Sequence, residues 1–453
     1  MKRIIKTLRR AALAAALLPG LLQTAGAGSA PAPEATTESA FQDWWDGKQM
    51  TGDWFGVRDE LKDRGIKLGG SYRIALFGVV ASENGSRAYW GEDLVFNGGI
   101  DFSKLLGADA LKGLEGFVEG RWRDNNGGTA NPNETVAGSS MFNPSPWWSG
   151  TGWRMLQFGL QYTTPELFGA KEFLTLKGGW LRPQREFIDQ PLSKIFLNNA
   201  INSSKGIGGN IPFSSSFSSW GGTLQVKPVK WHYAKAGLFM AFPDGSATDN
   251  HGLNFQGDAG DPSQNKPFFM GETGFTPEIG VSKLPGKYAF GGYYYGEEAN
   301  GGNKYGFYWQ ADQMLFREPS APAPQAAADG KSLAAPVALD GKPALSKQGL
   351  RLFSLFTCAP AYNNTYPFYM HAGLNYEGLI PTRDRDQLFA GFALGQYANK
   401  PGANNTVVIE GGYRAQINGW AFIQPYAQYI SQPAGTSTVA NAAILGFLAG
   451  VDF

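Results

Sequence analysis

Residues 443–453, AILGFLAGVDF, form the stretch that decides the fold. Its odd-numbered positions are all apolar, whereas Gly446, Gly450 and Asp452 occupy even-numbered ones, so the pattern has the period of two that is typical of a β-strand. The stretch ends on an aromatic residue, Phe453. Many similar alternating segments precede it, and together they favour a transmembrane β-barrel over an ordinary sheet edge.

The composition also favours strands and turns over helices. The 453 residues include 61 Gly, 31 Phe, 18 Tyr and 13 Trp, and only 17% of them are charged, which is below the usual quarter or so. A membrane-crossing strand has about 9–11 residues, and the outer loops of a barrel are long. The length of this chain therefore suits a barrel of about sixteen strands. No internal run reaches the roughly 18 apolar residues of a membrane helix. We therefore predict an all-β transmembrane antiparallel β-barrel of about sixteen strands.

The first 27 residues are predicted to be a secretion signal and not part of the fold. A cationic start is followed by the apolar segment 11–22 and by the small residues Ala25 and Ala27, so we expect removal after about Ala27. The adjacent Arg9 and Arg10 also suit a route that exports folded proteins. The motif around them is weak, however, and a barrel must cross the inner membrane unfolded.

Charge, cysteine and histidine content exclude several classes of protein. Loss of the five cationic residues of the signal lowers the Lys and Arg count from 39 to 34 against 38 Asp and Glu, which does not suit a nucleic-acid binder. Cys358 is the only cysteine, so no internal disulfide is possible, and we expect it at an apolar strand position. His232, His251 and His371 show no catalytic or metal-ligand spacing, so no enzyme, metal or cofactor is predicted.

The mature chain is predicted to begin with a spacer and a short helix. Residues 28–49 contain Pro, Ala, Thr and Glu and are predicted to be a flexible spacer. A short helix is predicted from Val57 to Arg64, since Gly65 stands where a helix would stop. The barrel domain then covers residues 50–453.

Sixteen alternating segments follow the helix, and an even number places both ends of the barrel on the periplasmic side. Short connections are expected on that side and long ones outside. The predicted strands are 66–81, 93–105, 112–124, 151–163, 171–182, 217–228, 230–242, 267–282, 286–297, 304–317, 348–358, 367–378, 386–398, 405–418, 419–430 and 441–453. The predicted periplasmic turns include 228–230, 284–286 and 418–419, and the long outer connections are 125–150, 183–216 and 243–266.

One connection is long although it falls on the periplasmic side. Residues 318–347 are rich in Pro and Ala and nearly free of aromatic residues. We predict that they form a disordered insertion, and that deletion of 319–345 leaves folding intact because this segment adds little buried area.

Charged side chains determine which face of each strand points inward. A charge at the lipid midplane costs about 2–4 kcal/mol, so the charged face of a strand is expected to line the lumen. In the third strand, Val118 and Trp122 then face lipid. The candidate pore-lining residues found in this way, or at the start of the long loop after the fifth strand, are Glu119, Arg121, Arg123, Lys177, Arg182, Arg185, Glu186, Glu410 and Arg414. They either form the narrow section of a pore or are solvated wall residues away from it.

Two other groups of residues have alternative interpretations. Trp147, Trp148 and Trp153 could stack on sugars, although tryptophans of barrels more commonly form a girdle at the membrane interface. The closing strand that ends in Phe453 resembles the recognition signal of the outer-membrane barrel-assembly machinery. On this interpretation, loss of Phe453 slows membrane insertion and leaves selectivity unchanged.

Several motifs resemble those of the carbohydrate-selective porin family typified by OprB, in family order from about residue 50 to the end. The 318–347 insertion departs from the family pattern. The motifs are Thr51-Gly52-Asp53-Trp54-Phe55-Gly56-Val57-Arg58, Phe196-Leu197-Asn198-Asn199, Trp220-Gly221-Gly222, Gly378-Leu379-Ile380-Pro381, Glu410 with Tyr413-Arg414, and Gln424-Pro425 with Gln428-Tyr429.

The resemblance implies a monomeric channel in the outer membrane of a Gram-negative bacterium, for passive diffusion of mono- or oligosaccharides. It also implies a pore narrowed by inward-folded loops. A barrel of sixteen strands leaves an aqueous lumen, and pairs such as Glu119 with Arg121 or Arg123 supply hydrogen bonds without a large net field. The alternatives are a general or ion-preferring porin without sugar selectivity, or a surface structure. The expected partners are sugars, outer-membrane lipids and the assembly machinery.

Overall fold

A computed structural model describes most of the chain. It covers residues 37–125, 131–138, 140–145, 147, 151–202, 205–211, 218–241, 251–255, 266–296, 302–319, 346–398 and 405–453. The predicted secretion signal lies outside these residues, and so does most of the 318–347 insertion.

Sixteen long antiparallel strands form one closed barrel, as the alternation predicted. Each strand pairs with its neighbours in sequence, and the last one pairs with the first. The strands are β1 (Ile66–Ala81), β2 (Arg87–Asp101), β3 (Leu114–Asn125), β4 (Gly152–Thr163), β5 (Leu174–Leu181), β6 (Ser219–Val229), β7 (His232–Ala241), β8 (Lys266–Phe275), β9 (Leu284–Tyr295), β10 (Lys304–Arg317), β11 (Gly349–Cys358), β12 (Phe368–Glu377), β13 (Gln387–Gln396), β14 (Asn405–Gln416), β15 (Ala421–Ser431) and β16 (Ala442–Asp452). Three two-residue strands, Glu166–Leu167, Ala170–Lys171 and Glu278–Ile279, belong to the turns.

The helices are short and lie in connections or before the barrel. The α-helices are α1 (Thr37–Asp46), α2 (Val57–Asp63), α3 (Phe102–Leu106), α4 (Pro132–Val136), α5 (Pro183–Phe187), α6 (Asn199–Asn202) and α7 (Lys205–Gly208), and the 3₁₀ helices are Asp109–Leu111, Ser140–Phe142 and Pro191–Ile195. Among the described residues, no helix has both the length and the apolar character needed to cross a membrane.

The closing seam joins the two ends of the barrel through backbone and side chains. Gly70 N donates to Phe453 O over 2.7 Å, and Phe453 N donates to Gly70 O over 3.0 Å. The ring of Phe453 lies so close to Gly70 that a Cβ there would be 2.5 Å from Cε2, so the seam requires glycine at this position. Arg73 on β1 also forms an ion pair with Asp452 on β16 at 2.6 Å.

The amino-terminal segment corrects one expectation. Residues 37–49 were predicted as spacer, but α1 lies there and packs on the turn between β14 and β15. The Trp44 ring is 4.9 Å from that of Trp420, and Met50 N donates to Asp452 O over 2.8 Å. A Cβ on Gly419 would lie 1.9 Å from Gly47 O, so the close approach depends on glycine. The aromatic residues around Trp44 hold the segment against the barrel.

The boundaries of β2 and β9 differ from the predicted ones. β2 begins at Arg87 and not at residue 93, and it ends at Asp101, whose side chain caps α3 by accepting from the backbone N–H of Ser103 and Lys104. The acidic residues near the middle of β2 resembled the end of a strand, and the predicted strand therefore began at residue 93. Pro285, expected in a tight turn, lies in β9, and the turn precedes it, with Gly286 N donating to Pro277 O over 2.9 Å.

The predicted inward and outward faces are confirmed. Val118, Leu176 and Ile409 are exposed on the outer surface, whereas Glu119 and Arg123 are buried on the inner one. Cys358 is exposed at the outer end of β11, opposite Phe307. The outer surface is therefore apolar as lipid contact requires.

Deletion of residues 319–345 is expected to preserve the barrel. Glu318 N donates to Gln348 O over 3.1 Å, and Arg317 pairs with Gly349, so the two ends of the insertion already meet. The deletion leaves a four-residue connection of Glu318, Ser346, Lys347 and Gln348, a length that joins antiparallel strands. Heat-modifiable migration on gels measures the folded barrel, and its loss would show that the insertion is structurally required.

Candidate functional site

The described part of the connection between β5 and β6 (residues 182–202, 205–211 and 218), here called loop L3, folds into the lumen. β5 has only 8 residues, and Pro183 follows Arg182 at the first position of α5, where its fixed φ suits a helix start. Gln190 Nε2 donates to Ser354 O on β11 over 2.6 Å, so L3 crosses to the opposite wall. The predicted inward loop is thus in place.

Glu410 on β14 is the firmest anchor of L3. Its side chain is 0% exposed, and its two carboxylate oxygens each accept one backbone N–H, from Leu197 and from Asn198, both over 2.7 Å. One carboxylate thus fixes two consecutive residues of the loop.

Several neutral side chains add further anchors along the wall. His371 Nε2 is 2.7 Å from Gln190 Oε1, and Gln424 Nε2 donates to Ile195 O over 2.9 Å. Gln428 Nε2 donates over 3.0 Å to Pro144 O, in the connection between β3 and β4. L3 and this second loop are therefore held in one network against β12 to β15.

On the other side of the lumen, the wall of β2 to β5 faces the start of L3 through a cluster of ion pairs. Asp93 on β2 is 2.7 Å from Arg123 Nε and 3.1 Å from Arg121 Nε, both on β3. Glu119 on β3 is 2.7 Å from Arg185 Nη1 and 3.2 Å from Arg182 Nη1 of L3.

Glu186 of L3 forms the third centre of the cluster. Its carboxylate lies 2.6 Å from Lys177 Nζ on β5 and 3.6 Å from Lys235 Nζ on β7. The ion pairs of the cluster therefore join six cationic and three acidic side chains, a formal charge of +3. We call this group, which also narrows the lumen, the eyelet cluster.

Burial and nearby positive charges lower the pKa values of two cations of L3. Burial lowers the pKa of Arg182 to about 9, and the neighbouring guanidinium of Arg121 adds to this effect. Desolvation lowers the pKa of Lys194 to about 8, and Arg182 and Arg185 contribute to the shift, although the residue is exposed to solvent. Burial is the larger cause of both shifts, and the neighbouring positive charges are the smaller one.

Two side chains of the cluster keep donors for a solute. Arg185 is 48% exposed although it bonds both oxygens of Glu119. Arg121 Nε lies near Asp93 without hydrogen-bond geometry, and its terminal nitrogens contact no acceptor in the described part of the chain. Hydroxyl groups of a passing solute can accept from both guanidiniums.

The structure brings together seven of the nine candidates in the eyelet cluster. The seven are Glu119, Arg121, Arg123, Lys177, Arg182, Arg185 and Glu186. The expected pairing of Glu119 with Arg121 or Arg123 is wrong, because residues directly across a strand pair are closer than residues two apart on one strand, and Asp93 lies opposite Arg123. Glu410 does not line the open pore, since L3 covers it, and Arg414 lies nearer the periplasmic end.

Sequence reasoning missed Asp93, Lys235 and Lys194. Asp93 was predicted to be the first residue of a strand, where the alternation does not determine whether a side chain points inward or outward. Lys235 shares the inward face of β7 with Tyr233 and Phe239, so the alternation of that strand contained the signal. No sequence signal places Lys194, because its position depends on the path of L3.

Trp153 and His371 make structural contacts in the described part of the chain. Trp153 is exposed on the outer surface opposite Trp122, which fits an interfacial girdle, and Trp148 lies outside the described residues. His371 is buried in the anchor of L3, with Tyr369 Oη 2.9 Å from its Nδ1. Within the described ranges, no group of three or more His, Cys, Asp and Glu could hold a metal ion.

A closed sixteen-stranded barrel with an apolar exterior and a loop that narrows a charged lumen defines a class of protein, the outer-membrane porins. The family model described as carbohydrate-selective porin, OprB family, matches residues 118–453. The chain belongs to this family. It is therefore a channel, and it serves as a sugar porin in the outer membrane of a Gram-negative bacterium.

Individual relatives agree with this assignment. Porin B of Pseudomonas aeruginosa is 23% identical over 439 residues, which cover 88% of this chain and 90% of that protein. The high-pH structure of Pseudomonas putida OprB superposes with a TM-score of 0.73 at 21% identity, over 90% of this chain and 99% of the other. Its low-pH structure gives a TM-score of 0.55 at 18% identity over the same shares. At these identities the two structures show the fold alone.

Proposed function

We propose that mono- and oligosaccharides diffuse passively through the lumen past L3 and the β2–β5 wall, and that the eyelet cluster selects them. The observation that carries this proposal is the state of the two guanidiniums. Asp93 and Glu119 hold Arg121 and Arg185 in place, while donors of both remain open to the lumen.

The chemistry of the cluster suits a neutral polyol. A guanidinium is planar and offers paired donors that match two adjacent hydroxyls of a sugar ring. The acids offset half of the positive charges, so the field holds salt ions less strongly than six free cations would. A sugar that exchanges water for these weak contacts can also leave, which conduction requires. No bond is made or broken in this process.

Liposome swelling tests the proposal directly. Vesicles with the reconstituted protein are expected to swell faster in a neutral monosaccharide than in a neutral non-sugar solute of the same size. Salts of similar hydrated size provide the second comparison. Equal rates for sugar and non-sugar solutes of one size would contradict sugar selectivity, because a general pore discriminates only by size and charge.

The charge of the eyelet cluster favours one alternative function, that of an anion-preferring porin. A formal charge of +3 in the narrow section attracts anions at low ionic strength. The reversal potential across a potassium chloride gradient measures this preference. Strong anion preference together with equal swelling in sugars and matched solutes would favour the alternative.

We further propose that the protein acts as a monomer, surrounded by lipid and inserted by the barrel-assembly machinery. Exposed apolar side chains around the circumference support contact with lipid on all sides, for example Leu76, Leu238, Phe356 and Ile409. The alternation of β16 and the terminal Phe453 support recognition by the assembly machinery.

A further inference from the structure

Arg414 stands apart from the eyelet cluster, two residues before the periplasmic end of β14. Its Nε donates to Gln424 Oε1 over 2.8 Å, and its Cζ lies 4.1 Å from the centroid of the Phe422 ring. These two contacts fix the plane of the guanidinium. No acceptor among the described residues contacts its terminal nitrogens, and no described carboxylate lies within the 4.0 Å of an ion pair.

Arg73, which also lies against Phe422, differs from Arg414 in this respect. Its Cζ is 5.0 Å from the same ring centroid, but its donors are engaged by Val451 O at 2.7 Å and by Asp452 Oδ1 at 2.6 Å. The charge of Arg73 is thus matched by an acid. Arg414 forms no ion pair with an acid within the described ranges.

A neutral amide lies beside the open guanidinium. Gln387 on β13 is directly opposite Arg414 in the strand register, and both side chains point inward. Asn375 Nδ2 donates to Gln387 Oε1 over 3.2 Å, which orients the amide and leaves its nitrogen without an acceptor in the described part of the protein. Two kinds of donor, one charged and one neutral, are therefore adjacent at the periplasmic exit.

We propose that Arg414 and Gln387 form a weak binding site for sugar acids on the periplasmic side of the eyelet cluster. The terminal nitrogens of Arg414 match the two oxygens of a carboxylate, and the amide of Gln387 donates to a hydroxyl of the sugar. A neutral sugar lacks the charged group and gains little at this site. The inference rests on the proposed sugar path, and it adds acidic sugars to the solutes of the channel.

The test uses single-channel current through the full-length protein in a planar bilayer. Glucuronate or glucose is added to the periplasmic side, and the concentration for half-maximal block is measured. Arg414→Gln is expected to weaken the block by glucuronate about fivefold, the scale of a water-exposed charge pair, and to leave the block by glucose unchanged. Arg64→Gln removes one positive charge from the exposed end of α2 and serves as the matched control, with no change expected.

Arg414 also orients Gln424, which holds L3. The test must therefore distinguish binding of the solute by Arg414 from a purely structural role of this residue. If Arg414→Gln weakens the block by glucose and by glucuronate equally, Arg414 acts through L3 and the proposal is wrong. An unchanged block by glucuronate also overturns it. If the unaltered channel shows no preference for glucose while Arg414→Gln still weakens the block by glucuronate, sugar selectivity fails and the acid site stands.

Discussion

Replacement of Glu410 by glutamine is expected to release L3 from the far wall and to raise the single-channel conductance. A carboxylate accepts the N–H groups of both Leu197 and Asn198, whereas glutamine can accept only one and places its own NH₂ group against the other. Loss of a hydrogen bond to a charged group costs about 1.5–3 kcal/mol, a factor of roughly 10 to 150 in the population of the anchored loop. The discrimination between sugars and other solutes of the same size should fall as the opening widens.

Glu377→Gln is the matched control for this variant. Glu377 lies at the periplasmic end of β12. Its replacement by glutamine removes a carboxylate from the same side of the barrel without touching L3. Unchanged conductance and unchanged sugar preference in the Glu410 variant would mean that the remaining contacts of Gln190, Gln424 and Gln428 suffice to hold the loop.

The double variant Arg121→Ala/Arg123→Ala is expected to shift ion selectivity toward cations and to lower sugar flux relative to salt flux. It reduces the formal charge of the eyelet cluster from +3 to +1 and removes the open donors of Arg121. It also leaves Asp93, which is 7% exposed, without either of its cations. A buried carboxylate that loses its partner costs about 3–5 kcal/mol, so the barrel should also melt at a lower temperature.

A third substitution distinguishes the effect of the lost arginines on selectivity from their effect on the stability of the barrel. Adding Asp93→Asn removes the unpaired carboxylate, so the melting temperature should recover while the sugar flux stays low. Arg87→Ala, at the extracellular end of β2, is the control for loss of a positive charge outside the cluster. If reversal potential and sugar preference both stay unchanged in the double variant, Arg121 and Arg123 are wall residues and not part of the selective section.

The sequence alone determined the architecture and the inward faces, because those depend on local alternation and on the cost of charge in lipid. Glu119, Arg121 and Arg123 on β3 were assigned to the lumen on this ground. The length of the connection after β5 and its cationic start indicated that L3 folds inward. All of these signals lie within about a dozen neighbouring residues.

The partners of those residues were not predictable, because pairing across strands depends on register and on the path of a loop. Asp93 precedes Arg123 by 30 positions, and the register of β2 with β3 brings them together. Glu410 was correctly assigned to the inner face, yet the residues that cover it lie more than 200 positions away. A helix from Thr37 to Asp46 was missed since its stability comes from packing on Trp420 and not from helix propensity.

The seam between β1 and β16 sets the order of events during folding. Arg73 and Asp452 are separated by 379 positions, so the barrel cannot close until the last strand is available. Contacts of such high sequence separation form slowly, because the entropy of ordering the intervening chain must be overcome first. Until then β1 presents an unpaired edge that can join another chain. Aggregation of this protein is therefore governed by the time for which the edge of β1 stays unpaired before β16 pairs with it.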